Sequence, residues 1–248
     1  MSDLLALTGR LAAAGCVAAG EEAAELLAAA PDAATLDAWI SQREDGTPLA
    51  WIVGATTFAG RRLAIGPGVY VPRVQTEELA ARAAALLPPG ALALDLCTGC
   101  GAVAAHLVTA VPGARVVGID LDPLAASWAR RNGVAAVVAD LAAPAHGPVD
   151  LITAVPPYVP TDAVRLLPSD VVRLEPRRAL DGGADGLAIA RRVVADAVRL
   201  LRPGGWLVLE LGGDQDAALG PDLADAFDTV EPWFDDDGDL RGLAARRR

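Results

Sequence analysis

The sequence contains no lysine. All 21 of its basic residues are arginine, set against 32 acidic ones, and the net charge is −11. A chain this acidic gains nothing from neutralising phosphates, so direct nucleic-acid binding is disfavoured without a local basic face. The run Arg246-Arg247-Arg248 reads as a solvated tail. Cysteines number three, an odd count that offers no disulfide framework and fits a reducing compartment. The two histidines, His106 and His146, stand apart from other ligand-type residues, so they argue neither for a metal centre nor for a Ser-His-Asp arrangement. No long apolar run exists either. The N-terminal stretch is interrupted by Asp3, Arg10, Glu21 and Glu22, so it reads as neither a membrane span nor a secretory leader. These absences together describe a cytoplasmic protein.

What is present is an ample supply of core: 248 residues, 53% of them hydrophobic. That suggests one large domain, or one domain with a small appendage. Residues 3 to 43 read as three short helices, broken near Gly15 to Gly20 and at Pro31-Asp32. Gly46-Thr47-Pro48 marks a break. Thr56 to Ile65 predicts a short hairpin with Ala59-Gly60 near its turn, and Val74 to Leu87 a helix ended by Pro88-Pro89-Gly90. The chain therefore divides into a helical segment over 1–55, a hairpin and linking helix over 56–90, and a main domain over 91–248. Within the last, strands at Ala91–Leu96, Arg115–Ile119, Val134–Val138, Val149–Ala154 and Trp206–Leu211 alternate with helices. That alternation predicts an α/β fold, a Rossmann-like parallel sheet with helices on both faces. Apolar strands without alternation agree with burial on both sides.

The first chemical motif is Asp95-Leu96-Cys97-Thr98-Gly99-Cys100-Gly101. Glycines after a first strand permit a tight turn and close approach of a ligand to the backbone. Asp120 ends the next strand, well placed for ribose hydroxyls. A dinucleotide fold predicts the same spacing, and Gly99-x-Gly101-x-x-Ala104 matches its fingerprint, so the loop alone leaves NAD and S-adenosylmethionine both open. Asp95 favours the second. A carboxylate at the head of the loop would repel a pyrophosphate and suits the ammonium of a methionine moiety. Asp140, followed by Leu141, closes the third strand, where it could meet an adenine amine. Asp122 reads instead as a helix N-cap. Cys97 and Cys100 read as packing residues in a loop whose backbone does the binding, rather than as a redox pair.

The second motif is Val155-Pro156-Pro157-Tyr158, directly after the fourth strand. Proline fixes φ and restricts the residue before it, so this is a stiff bend at the carboxyl end of a central strand. Open α/β sheets bind ligands there. The bend leaves the carbonyls of Val155 and Pro156 without ladder partners, and Tyr158 offers a flat face to a planar group.

These residues resemble a known family, the protein-(glutamine-N5) methyltransferases of the release-factor and ribosomal-protein type, which are class I S-adenosylmethionine enzymes. The resemblance runs from about Gly46 to Arg247. Gly46-Thr47-Pro48-Leu49-Ala50-Trp51 with Phe58 is similar to the family's interdomain stretch, and Val71 to Glu77 to its Pro-Arg-x-x-Thr-Glu segment. Glu175-Pro176-Arg177-Arg178-Ala179-Leu180, with Gly183-Ala184-Asp185-Gly186-Leu187, follows its Glu-Pro-x-x-Ala-Leu…Gly-x-Asp-Gly-Leu run. The resemblance implies methyl transfer to a glutamine side chain of a protein substrate, recognised by the N-terminal helical segment. It also implies that the corner positions the acceptor. One departure stands out. The family's motif is Asn-Pro-Pro-Tyr, whose Asn side chain and proline carbonyl accept the two amide N–H groups. Val155 occupies the Asn position here, which implies a slower enzyme, a different acceptor, or a cofactor-binding homologue that has lost the reaction.

Overall fold

The computed structural model describes residues 2–248. Four helices come first: α1 (Ser2–Ala13), α2 (Ala19–Ala29), α3 (Ala33–Glu44) and α4 (Leu49–Val53). Gly15 breaks the chain after α1 in the left-handed region that glycine tolerates without strain. Asp32 caps α3 by accepting from the Thr35 amide at 2.8 Å. These helices bury a small core of their own, built on Leu7, Leu11, Leu26 and Ile40, and Ile52 of α4 joins it.

The predicted hairpin follows. Strands β1 (Ala55–Phe58) and β2 (Arg61–Ala64) pair antiparallel, and both turn residues, Ala59 and Gly60, have positive φ. Helix α5 (Thr76–Leu86) comes next. Phe58, Leu63 and Ile65 of the hairpin share one hydrophobic core with Leu79, Ala80 and Ala83 of α5 and with the main sheet. The hairpin and α5 are therefore packed onto the sheet rather than strung between two bodies.

The main sheet has seven strands: β3 (Leu92–Leu96), β4 (Arg115–Asp120), β5 (Ala135–Val138), β6 (Val149–Ala154), β7 (Leu201–Glu210), β8 (Phe227–Phe234) and β9 (Leu240–Arg247). Their order is β5-β4-β3-β6-β7-β9-β8. The first five are parallel, and the last two run antiparallel to their neighbours. Helices α6 (Ala102–Ala110) and α7 (Pro123–Arg131) cover one face with α5. Helices α9 (Ala188–Leu200) and α10 (Gln215–Leu223) cover the other. A one-turn-and-a-half helix, α8 (Ser169–Leu174), lies in the long connection after β6.

The antiparallel pair β8–β9 is absent from the sequence reading. Strand β8 is the sheet edge, carries Pro232 and the polar or charged residues Asp228, Thr229 and Glu231, and buries little. An edge strand tolerates a proline because one of its backbone sides faces no partner. The C-terminal arginines are correspondingly not a free tail. Arg246 and Arg247 lie in β9, Arg247 Nη1 donates to the Ala226 carbonyl at 2.8 Å, and Arg248 Nη2 donates to the Ala224 carbonyl at 3.0 Å. Their side chains satisfy carbonyls at the end of α10 and the turn that follows it.

Strand order reverses between β3 and β6, so the carboxyl ends of β3, β4 and β6 surround one crevice. Connections leave adjacent strands in opposite directions at such a point and open a gap between the loops.

Candidate active site

The glycine loop leaves β3 at the centre of this crevice. Cys97, Gly99 and Gly101 all have positive φ. A Cβ on Gly101 would lie 3.0 Å from atoms of Ala129 and Val134, so only glycine lets α7 and the loop pack this closely. At Gly99 a Cβ would meet nothing within 4 Å, so that glycine serves the backbone turn and leaves open space above it. Opposite, Gly118 of β4 admits the loop: a Cβ there would sit 2.8 Å from Thr98 Oγ1. Cys97 adopts a left-handed conformation at some steric cost and packs against the second core. Burial raises both loop thiols, that of Cys100 to about 12, so both stay protonated near neutrality. This fits packing residues rather than a redox pair.

Asp95 ends up beneath the loop and is only 2% exposed. One carboxyl oxygen accepts from Thr98 Oγ1 at 2.5 Å and the other from Thr153 Oγ1 at 2.7 Å. Burial lifts its pKa to about 6, with the two threonine hydroxyls pulling the other way. Asp120 accepts from the Gly99 amide at 2.8 Å and the Asp122 amide at 2.9 Å, one on each oxygen. Burial raises its pKa as well, against those two backbone bonds. Each oxygen keeps a further lone pair for a ligand. Asp122 caps α7 through the Leu124 amide, as its position implied. Asp140 carries an ion pair with Arg192 of α9 at 2.8 Å, about half exposed, and Leu141 beside it is buried with positive φ. Arg192 is a rim residue that sequence reasoning missed, because it arrives from a helix 52 positions away.

Asp95, Cys97, Thr98, Gly99, Cys100, Asp120, Asp122, Asp140, Leu141 and Arg192 line one cavity of about 530 Å³, and so do Val155, Pro156, Pro157 and Tyr158. Gly101, expected to meet the cofactor, packs behind the loop against Ala129 and Val134 and does not line it. Val155 is half-buried and packs against the first core. Tyr70, Arg73 and Gln75 line the same cavity from the segment before α5. The Arg73 guanidinium lies 4.7 Å from the Tyr70 ring centroid and pairs with buried Glu175 at 2.7 Å. That ion pair ties the Pro-Arg segment to the start of the Glu-Pro run, 102 positions later. The chain's single asparagine, Asn132, plays no part in the cavity. It joins the hairpin to the glycine loop, exchanging two hydrogen bonds with Ala64 and donating to the Cys100 carbonyl at 2.8 Å.

The chain is 39% identical over 226 residues to the release factor glutamine methyltransferase of Mycobacterium leprae (strain TN), a match covering 84% of this chain and 77% of that protein. The chain belongs to the release factor glutamine methyltransferase family. A second relative, the 4-amino-L-phenylalanine/4-methylamino-L-phenylalanine methyltransferase of Streptomyces pristinaespiralis, is 39% identical over 195 residues, 73% of this chain and 66% of that one. No family model matches. Among solved structures, the T. thermophilus 16S rRNA N2 G1207 methyltransferase shares the fold with a TM-score of 0.55 at 23% identity, over 78% of this chain and 50% of that one. The methyltransferase assignment decides between the two cofactors that the glycine spacing left open.

The cavity fits S-adenosylmethionine on its own chemistry. A buried carboxylate stands at the loop head for an ammonium, and a second one has lone pairs free for hydroxyls. Among the described residues, the cavity's arginines are already paired, Arg73 with Glu175, Arg178 with Asp122 and Arg192 with Asp140, rather than free to receive a pyrophosphate.

Proposed function

We propose that this enzyme methylates the side-chain amide nitrogen of a glutamine in a protein substrate of the release-factor class. The observation that carries the reading is the joining of the Val155–Tyr158 corner and the glycine loop in one cavity. S-adenosylmethionine, when bound, supplies an electrophilic sulfonium methyl. Asp95 would take its ammonium, Asp120 its ribose hydroxyls, the backbone of residues 97–100 its methionine portion, and Asp140 with Leu141 its adenine. The corner does the rest. An amide nitrogen is a poor nucleophile because its lone pair is delocalised, so the site must hold it in line and draw its protons towards acceptors as charge develops. The carbonyls of Val155 and Pro156 are those acceptors, and Tyr158, with Pro157 stiffening its approach, supplies a wall for the planar amide. With the cofactor bound, methyl transfer would exchange its carbon–sulfur bond for a nitrogen–carbon bond, and the displaced amide proton would leave to solvent.

The N-terminal helices α1–α3 carry protein recognition in this reading, and the substrate is met in the cytoplasm. Among the described residues no helix is long and apolar enough to cross a membrane. The test is transfer of a radiolabelled methyl group to a release-factor protein and to the same protein with its target glutamine changed to alanine. Label in the first only supports the assignment. Label in neither, with 4-amino-L-phenylalanine methylated instead, would move the acceptor to an arylamine, for which the missing side-chain acceptor at Val155 matters less.

A further inference from the structure

The turn after β7, from Glu210 to Gln215, runs along Tyr158 and is tied to its backbone through Gln215. Gln215 is 8% exposed, and all three of its polar contacts are to backbone. Its Nε2 donates to the Tyr158 carbonyl at 2.8 Å and to the Asp185 carbonyl at 3.4 Å, while its Oε1 accepts from the Gly212 amide at 3.1 Å. One amide thus joins three segments: the corner, the Gly-x-Asp-Gly-Leu run and the end of β7. Gly212 runs under the tyrosine ring, where a Cβ would lie 3.5 Å from Cε2. At the far end of the ring, the hydroxyl lies beside Glu210. That carboxyl is 2% exposed, and neither oxygen has a hydrogen-bond partner among the described residues.

The opposite side of the corner is equally constrained. The Val159 amide donates to the Leu180 carbonyl at 3.0 Å and the Gly182 amide to the Val159 carbonyl at 2.8 Å. A Cβ on Gly182 would lie 2.5 Å from the Pro157 carbonyl, and one on Gly186 would overlap the Tyr158 carbonyl. Glycine is required at both positions, so that the corner's backbone can lie against the run. The Tyr158 carbonyl is consequently turned towards Gln215 and away from the acceptor, which leaves the Val155 and Pro156 carbonyls for the substrate.

We infer that Gln215 is a positioning residue for methyl transfer: it acts through Tyr158 to fix the peptide planes that accept the substrate N–H groups. This rests on the acceptor site assigned above, though its first measurement does not need a substrate. The chain has two tyrosines, so protein labelled with 3-fluorotyrosine gives two fluorine resonances, assigned with Tyr70→Phe. In Gln215→Met, which keeps the length and removes all three contacts, the Tyr158 resonance should move or broaden while that of Tyr70 stays in place. Affinity for S-adenosylmethionine should stay within about threefold, and turnover should fall about ten- to a hundredfold. Gln215→Glu keeps the acceptor for Gly212, removes the donor to Tyr158, and serves the same comparison if the methionine variant fails to fold. An unmoved Tyr158 resonance overturns the inference, as does a moved resonance with wild-type turnover. A wild-type enzyme that labels no glutamine overturns the acceptor assignment instead, and the resonance then still reports on the clamp.

Discussion

Replacing Asp95 with asparagine should stabilise the free enzyme and weaken its hold on cofactor. The wild-type carboxyl is buried, and its pKa rises from 3.8 to about 6. The folded state therefore holds a proton that the unfolded chain has already released between those two values. Below pH 4 this group costs the fold nothing. The cost builds up between pH 4 and pH 6 and levels off above that, so at neutral pH it is roughly 3 kcal/mol, the gap in pKa converted at about 1.4 kcal/mol per pH unit. Asparagine removes that charge and can still bond both hydroxyls, of Thr98 and Thr153. Urea titrations of the free protein at pH 7.5 should accordingly show Asp95→Asn more stable than wild type, by up to about 3 kcal/mol, and the difference should vanish by pH 4. Cofactor binding should move the other way. If the carboxylate meets the ammonium, only the ionised form binds well, and wild-type affinity at pH 5 should be about tenfold weaker than at pH 7.5. The asparagine variant should bind weakly at pH 7.5 with a flatter profile; Asp120, whose pKa is also raised by burial, leaves a residual slope. Isothermal titration with S-adenosylmethionine across this range decides it. A variant that binds as tightly as wild type, with the same pH slope, refutes the role given to Asp95.

Three further outcomes follow from the same geometry. Asp120→Ala should weaken S-adenosylmethionine binding by about 1.5–3 kcal/mol, the worth of charge-assisted hydrogen bonds; unchanged affinity by titration removes it from the site. Val155→Asn restores a side-chain acceptor at the corner. If the acceptor is a primary amide, turnover should rise about tenfold for about 1.4 kcal/mol recovered, and equal or lower turnover at intact cofactor affinity argues against glutamine. Cys97→Gly relieves a left-handed residue that carries a Cβ and should raise thermal stability by an amount on the order of 1 kcal/mol. A lower melting temperature would mean that the packing of its side chain outweighs the backbone strain.

The sequence by itself determined the parallel half of the sheet, the glycine turn and the corner. Each is written in consecutive residues: apolar strands without alternation, glycines where φ must be positive, prolines that stop β6. It also placed Asp95 and Asp120, because an acid at a strand end keeps its position whatever surrounds the strand. Tertiary structure decided what those groups can do. Asp95 has a raised pKa because the packed sheet and loop bury it, and the Thr98 and Thr153 hydroxyls offset only part of that rise. Asp140 is tied to Arg192, and Arg73 to Glu175, across separations that no local pattern encodes. The clamp on Tyr158 is the clearest case. Gln215 looks like an ordinary polar residue opening a helix, and Glu210 like the last residue of a strand. Only the parallel pairing of β6 with β7 brings their side chains against the corner. The antiparallel edge was hidden for a related reason: β8 buries few side chains, and its pairing to β9 is fixed by backbone hydrogen bonds that any sequence can make.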